Sequence, residues 1–242
     1  MKSDALYWFF SRLFDSMIWG GELLGEENLP AGGAAVFVSN HADALGPIAI
    51  VASLPVRVYP WVISDMLEWD KAAEYLRADF VEPQLHVPAG LSMGIARLIS
   101  QASVRLLRRM ECIPVWHNDL LADTYRISVD YLAQGRNLLV FPEDPSQPLD
   151  ELFQMRPFQK GFARLGEFYY ERTRKILRFY PLAVHAAARK IKAGAPISFN
   201  PFNNAVNERL RIKNILESIV HDLYLALCLE TISPFHFPAK RT

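Results

Sequence analysis

The stretch "VFVSNHADALGPIAI", residues 36–50, changes character in mid-run. Val36, Phe37 and Val38 form part of an unbroken apolar run, the pattern of a strand covered on both faces, and Pro47 to Ser53 reads as the opening turns of a helix. At the junction stand Asn40, His41 and Asp43, an amide, an imidazole and a carboxylate at the end of a strand with no other polar business. In sheets built from strands alternating with helices, ligands collect beyond the carboxyl ends of the strands. A histidine at that address is a candidate general base, and equally a residue hydrogen-bonded into the core.

Working outward, "RNLLVFPE" (136–143) repeats the arrangement, an apolar strand delivering Glu143 and then Asp144 at its end. "PVRVYPWVIS" (55–64) and "LRFYPLAVHAA" (177–187) read as further buried strands and 111–115 as a short one. Helices are expected over 68–77, 91–109, 120–134 (ended by Gly135), 158–171 and 207–229. The intervals 25–33, 78–90 and 144–157 read as loop, and "RKIKAGAPISF" (189–199) alternates like an edge hairpin. This order predicts an α/β fold: one domain over residues 31–242 with a mainly parallel central sheet flanked by helices, preceded by an amphipathic aromatic helix within 1–30.

The chain has 242 residues, 51% of them hydrophobic, with a formal net charge of zero. That composition suits a folded domain and not a nucleic-acid binder. Charge is uneven, however: residues 156–192 hold ten Lys or Arg against two Glu, which points to an anionic neighbour such as a phosphate or a lipid surface. Cys112 and Cys228 lie in apolar runs without metal-ligand or redox spacing, so they read as small hydrophobes in a reducing cytosol. No metal or resident cofactor is expected.

"ALYWFFSRLFDSMIWG" (5–20) carries two Trp, three Phe and a Tyr. On a helical wheel Asp4, Ser11, Arg12 and Asp15 form a narrow polar stripe inside a wide apolar surface flanked by Trp8 and Trp19. Such a helix suits the headgroup boundary of a bilayer, and equally a terminal helix docked on its own domain. In 91–109, Arg97, Gln101, Arg105, Arg108 and Arg109 share one face opposite Leu91, Ile95, Leu98, Ile99, Ala102 and Leu106. A basic amphipathic helix is drawn to anionic lipid by about 1 kcal/mol per basic residue, although an ordinary surface helix has the same look. No uninterrupted apolar run of spanning length occurs in the sequence. Peripheral or monotopic attachment to a cytosol-facing membrane surface is therefore expected.

"SNH" with Pro47 after it, then "FPE", "FQKGFARL" (158–165), "YPLAVH" (180–185) and "GAPI" (194–197) follow one another in an order that resembles the glycerolipid (lysophospholipid) acyltransferase family, that of the 1-acylglycerol-3-phosphate acyltransferases. The resemblance spans residues 36–198, about two-thirds of the chain. It implies an acyl group moving from acyl-CoA or acyl carrier protein, as co-substrate, to a hydroxyl, with His41 as the base. Asn40, Glu143, Asp144, His117, Lys160 and Arg164 are the expected substrate-binding positions, the last two for the phosphates of CoA, unless they are plain solvated surface.

Three departures from the family pattern stand out. The Asp expected after four intervening residues beyond His41 is Gly46. In serine proteases, neutralising the carboxylate that orients the base costs about 10⁴-fold in rate. Asp43 is the available substitute if residues 41–43 form a turn, and its other role would be to cap the helix that follows. "FPEDPSQP" (141–148) keeps Glu143 but has Asp144 and Pro145 where the family has Gly and Thr, and lacks the following Arg. In "ECIPVWHND" (111–119) His117 stands nearest the family's phosphate-associated arginine. Less positive charge implies an acceptor other than lysophosphatidic acid: a glycolipid, lipid alcohol or neutral lysolipid. The same departures leave two further readings open, a non-catalytic acyl- or lipid-binding protein of this fold and a hydrolase in which His41 activates water.

Overall fold

The computed structural model describes residues 2–43, 45–82, 86–116 and 120–232. The chain runs α1 (Lys2–Phe14), a π-helical turn (Asp15–Trp19), β1 (Glu22–Leu24), β2 (Ala35–Ser39), α2 (Leu45–Ser53), β3 (Val58–Ile63), α3 (Trp69–Leu76), α4 (Ala89–Arg109), β4 (Ile113–Val115), α5 (Leu121–Ala133), β5 (Asn137–Val140), α6 (Arg164–Thr173), β6 (Arg178–His185), β7 (Lys190–Ala193), β8 (Ile197–Ser198) and α7 (Ala205–Ile232). The sheet order is β1-β7-β6-β2-β5-β3-β4, with β8 also on β6. β6, β2, β5, β3 and β4 are mutually parallel, and β7 and β8 run antiparallel to β6. This is the α/β architecture with a mainly parallel sheet that the alternating pattern predicts.

β2 lies at the centre because every one of its residues is buried. Val36 and Val38 pack with residues of α5, α6 and α7 on one face of the sheet, while Ala35 and Phe37 pack with α1 and α2 on the other. Its pairing with β5 on one edge and β6 on the other aligns the ends of three strands, and with them Asn40, Phe141 and Val184.

The structure departs from the sequence expectation in three places. Residues 189–199 do not form a hairpin with themselves: β7 and β8 both pair with β6, as one strand interrupted at 194–196. Pro196 has no N–H for a ladder, and Gly194 fits against Ile219, Leu223 and Pro181, where a side chain would crowd them. The polar stripe of the N-terminal helix is divided: Ser11 is buried, while Asp4, Arg12 and Asp15 stay exposed and Asp4 pairs with Arg57 at 2.5 Å. Trp19, which suited a lipid boundary and a docked terminal helix equally, is wholly buried against the domain, its indole flush against Gly21. α4 likewise turns its small residues inward, Ser92, Ala96 and Ser100, and leaves Leu91 and Leu98 exposed beside Arg97. α3 meets it with the buried Ala72 and Ala73, so two helices of small residues approach closely.

Candidate functional site

Where β2 stops, Asn40 continues its pairing with β6. Nδ2 donates to the Val184 carbonyl at 3.0 Å and Oδ1 accepts from the Val184 N–H at 2.8 Å, so the amide stands in for the next backbone unit of the ladder. Asn40 is wholly buried and fully committed to the sheet. It fixes where the following residue starts, and its side chain does not face the crevice.

The chain then turns through Ala42 (φ 46°) and Asp43 (φ 53°), two consecutive left-handed residues that are not glycine. Each costs on the order of 1–2 kcal/mol, so the surroundings must hold the turn in place. Gly46 is what makes it possible: a Cβ built there would lie 1.9 Å from the His41 carbonyl oxygen. The position where the family resemblance expects a carboxylate therefore has no room for any side chain. The Gly46 N–H donates to the Ala42 carbonyl at 3.2 Å and closes the turn.

His41 is held at its backbone, its N–H donating to Glu143 Oε1 at 2.6 Å. Its ring meets Phe141 edge-on, with centroids 5.0 Å apart. His41 is exposed as a residue, yet the protein packed around its ring withholds enough water to lower its pKa from the usual 6.5. The charges of Glu143 and Asp43 and the Asp43 backbone oppose that shift, and Arg156 adds to it. The Asp43 carboxylate makes no hydrogen bond to the ring and none to the head of α2 among the described residues. It acts on His41 through charge.

Glu143 links two segments. Its Oε1 holds His41 and its Oε2 accepts the Arg156 N–H at 2.8 Å. Residues 142–144 and 157–159 run antiparallel, bonded from Gln159 N–H to the Pro142 carbonyl at 2.7 Å and from Asp144 N–H to the Pro157 carbonyl at 2.9 Å. Phe158 is fastened from behind by α7, its N–H donating to Glu217 at 2.5 Å. The Asp144 carboxylate accepts from Ser146 N–H and Oγ at 3.0 and 2.7 Å, which lowers its pKa and commits it to the turn.

The structure thus brings His41, Asp43 and Glu143 together and sets Asn40 behind them. Lys160 is exposed at the head of a short 3₁₀ turn (Gly161–Ala163), and Arg164 points away between α5 and α6, its Cζ 5.3 Å from the Tyr125 ring and 5.0 Å from Phe168. His117 lies outside the described residues. Arg156 is the residue that motif reading passes over. It stands at the far end of the loop opened by "FPEDPSQP", its Nε donating to the Gln147 carbonyl at 3.0 Å, and its charge reaches the His41 ring. The signal in the sequence was an arginine two residues before "FQKG", on the other strand of the same turn.

Neither a family model nor a curated protein matches the chain. Among solved structures, the crystal structure of the 1-acyl-sn-glycerophosphate (LPA) acyltransferase PlsC from Thermotoga maritima is similar over 91% of this chain and 79% of that one, at 13% identity and a TM-score of 0.51. The likeness is one of fold, and this chain has the α/β fold of that acyltransferase.

Proposed function

We propose that the protein is an O-acyltransferase that moves a fatty acyl group from a thioester, acyl-CoA or acyl carrier protein, to the hydroxyl of a lipid or alcohol, with His41 as general base. The observation that carries this reading is the setting of His41. It is an exposed imidazole biased toward the neutral form at the carboxyl end of β2, held by Glu143 at its backbone, and the Asp43 carbonyl is the partner proposed for its ring N–H. The ring N–H given to that carbonyl fixes the tautomer and leaves the other nitrogen to take the proton of the acceptor hydroxyl. The hydroxyl oxygen attacks the thioester carbonyl, the tetrahedral intermediate collapses, and the C–S bond breaks. A thiolate with a pKa near 8.5 leaves without an acid, and the proton on His41 returns to it or to water. Arg156, whose charge reaches the ring, is suited to the developing oxyanion.

Two carboxylates, Glu143 and Asp43, act on the ring against the single guanidinium of Arg156. That balance favours an acceptor without a terminal phosphate. Work at the cytosolic face of a membrane is supported by apolar residues turned outward on α1, the π-helical turn after it and α4: Phe9 is 59% exposed, Met17 75%, Leu91 66% and Leu98 72%. Among the described residues no helix is long and apolar enough to cross a bilayer. The test is a thioester-release assay on wild type and His41→Ala, with and without a panel of neutral acceptors and lysophosphatidic acid. Acceptor-dependent release that needs His41 and prefers neutral acceptors is the expected result. Acceptor-independent release would make the protein a hydrolase, and no His41-dependent release would make it a binding protein.

A further inference from the structure

Pro157 carries no N–H, so the segment from Arg156 to Gln159 has three to place, and each meets a fixed acceptor. Arg156 donates to Glu143 Oε2 at 2.8 Å, Gln159 to the Pro142 carbonyl at 2.7 Å and Phe158 to Glu217 Oε1 on α7 at 2.5 Å. The last of these runs the other way. Glu143 and Phe158 face each other as an antiparallel pair that exchanges no bonds of its own, which turns the Phe158 N–H out of the ladder and toward α7. Phe158 is buried in the core that Ile212, Leu216 and Val220 of α7 help to form, where an N–H without an acceptor is costly. Glu217 supplies it, and its other oxygen takes Lys213, one turn earlier on the helix, at 2.5 Å. One turn later the His221 ring stacks on Phe153 with centroids 4.0 Å apart, so α7 meets the stretch that carries Arg156 on both sides of that residue.

The segment is thus clamped between two carboxylates, and only one of them belongs to the crevice. Glu143 follows β5 and holds the His41 N–H with Oε1, so its place is set by the sheet. What α7 decides is where the facing segment lies, and with it Arg156. Resting on the acyl-transfer reading above, we propose that Glu217 is a positioning residue: its hydrogen bond to the Phe158 N–H holds residues 156–159 against Glu143 and so fixes Arg156 relative to His41.

The ring titration of His41, followed by NMR on the full chain and assigned by its absence from His41→Ala, tests this without any chemistry. Glu143 and Asp43 raise the His41 pKa and Arg156 lowers it, so freeing Arg156 moves the midpoint up, whereas removing a carboxylate that the ring itself feels moves it down. Glu217→Ala and Glu217→Met, the second filling the side chain's space without an acceptor, are expected to raise the midpoint in the sense of Arg156→Gln and to add nothing to it in the Arg156→Gln background. Glu217→Gln keeps an acceptor oxygen and is expected to recover most of the wild-type midpoint. In turnover, kcat falls about tenfold or more in Glu217→Ala and Glu217→Met while the KM for the acyl donor stays within about twofold. A midpoint that stays or falls in these two variants, that rises as far in the Arg156→Gln background as without it, or that rises as far in Glu217→Gln would overturn the proposal. Transfer that needs His41 but ignores Glu217 would keep the acyltransferase and remove this role. A raised midpoint with no transfer from any donor would keep the placement of Arg156 and remove the acyltransferase reading.

Discussion

At the scale of single residues, Gly46 changes meaning between sequence and structure. Read along the chain it is a missing carboxylate, whereas in the fold it is the only residue that lets the His41 carbonyl pass so close. Restoring the family pattern with Gly46→Asp is therefore expected to abolish transfer, and Gly46→Ala to cost about 1–3 kcal/mol in denaturant unfolding, because the new Cβ meets backbone that can yield only by undoing the turn. The presence of His41 and the departure at 46 were legible in the residues. The partner proposed for its ring was not, since a backbone carbonyl leaves no mark in a sequence. The pH dependence follows from the charges around the ring. The base works when neutral, so kcat/KM climbs with pH through the His41 pKa and levels off above it, with a midpoint below 6.5. Asp43→Asn removes a charge that raises this pKa and moves the acid limb to lower pH, while Arg156→Gln removes one that lowers it and moves the limb to higher pH. A limb that stays fixed in both variants would show that another group titrates.

At the scale of elements, the site is set by how β2 ends. Asn40 replaces a ladder unit, so Asn40→Ala leaves the Val184 N–H and carbonyl buried without partners and is expected to lower stability by about 2–4 kcal/mol in urea. Strand periods and the alternation with helices make most of the sheet readable in the residues alone. What stayed hidden was pairing over distance. β1 is only three residues long, and it is a strand because Lys190–Lys192 offers it an edge. The break in the 190–198 strand needs the facing β6 to be recognised. Arg156 reaches His41 because Glu143 binds both ends of a loop, a contact no local pattern announces. Glu143→Gln must donate where a carboxylate accepted, so transfer is expected to fall about 10- to 100-fold, as when a catalytic group is slightly misplaced.

For the molecule as a whole, the N-terminal segment both docks and exposes. Tyr7 and Trp19 are buried in the core shared with α2 and β2, while Phe9 and Met17 face outward. Composition announced the apolar surplus of this helix but not which residues it would spend on the core, because that depends on the groove it meets. The two halves of the segment separate experimentally. Trp19→Ala is expected to lower stability by about 3–5 kcal/mol, and Phe9→Ser with Met17→Ser to leave unfolding within about 0.5 kcal/mol of wild type while cutting flotation with anionic vesicles. Vesicle binding unchanged by the double variant would remove α1 as the membrane contact.

The most direct test of the central claim, that His41 works as a base with a backbone carbonyl as its partner, is single-turnover acyl transfer at pH 8 in Asp43→Asn beside His41→Ala. Loss of about 10²- to 10⁴-fold in His41→Ala, with Asp43→Asn within about tenfold of wild type, is the predicted result. A fall in Asp43→Asn as deep as that in His41→Ala would show that the carboxylate is the partner, and a wild-type rate in His41→Ala would end the account.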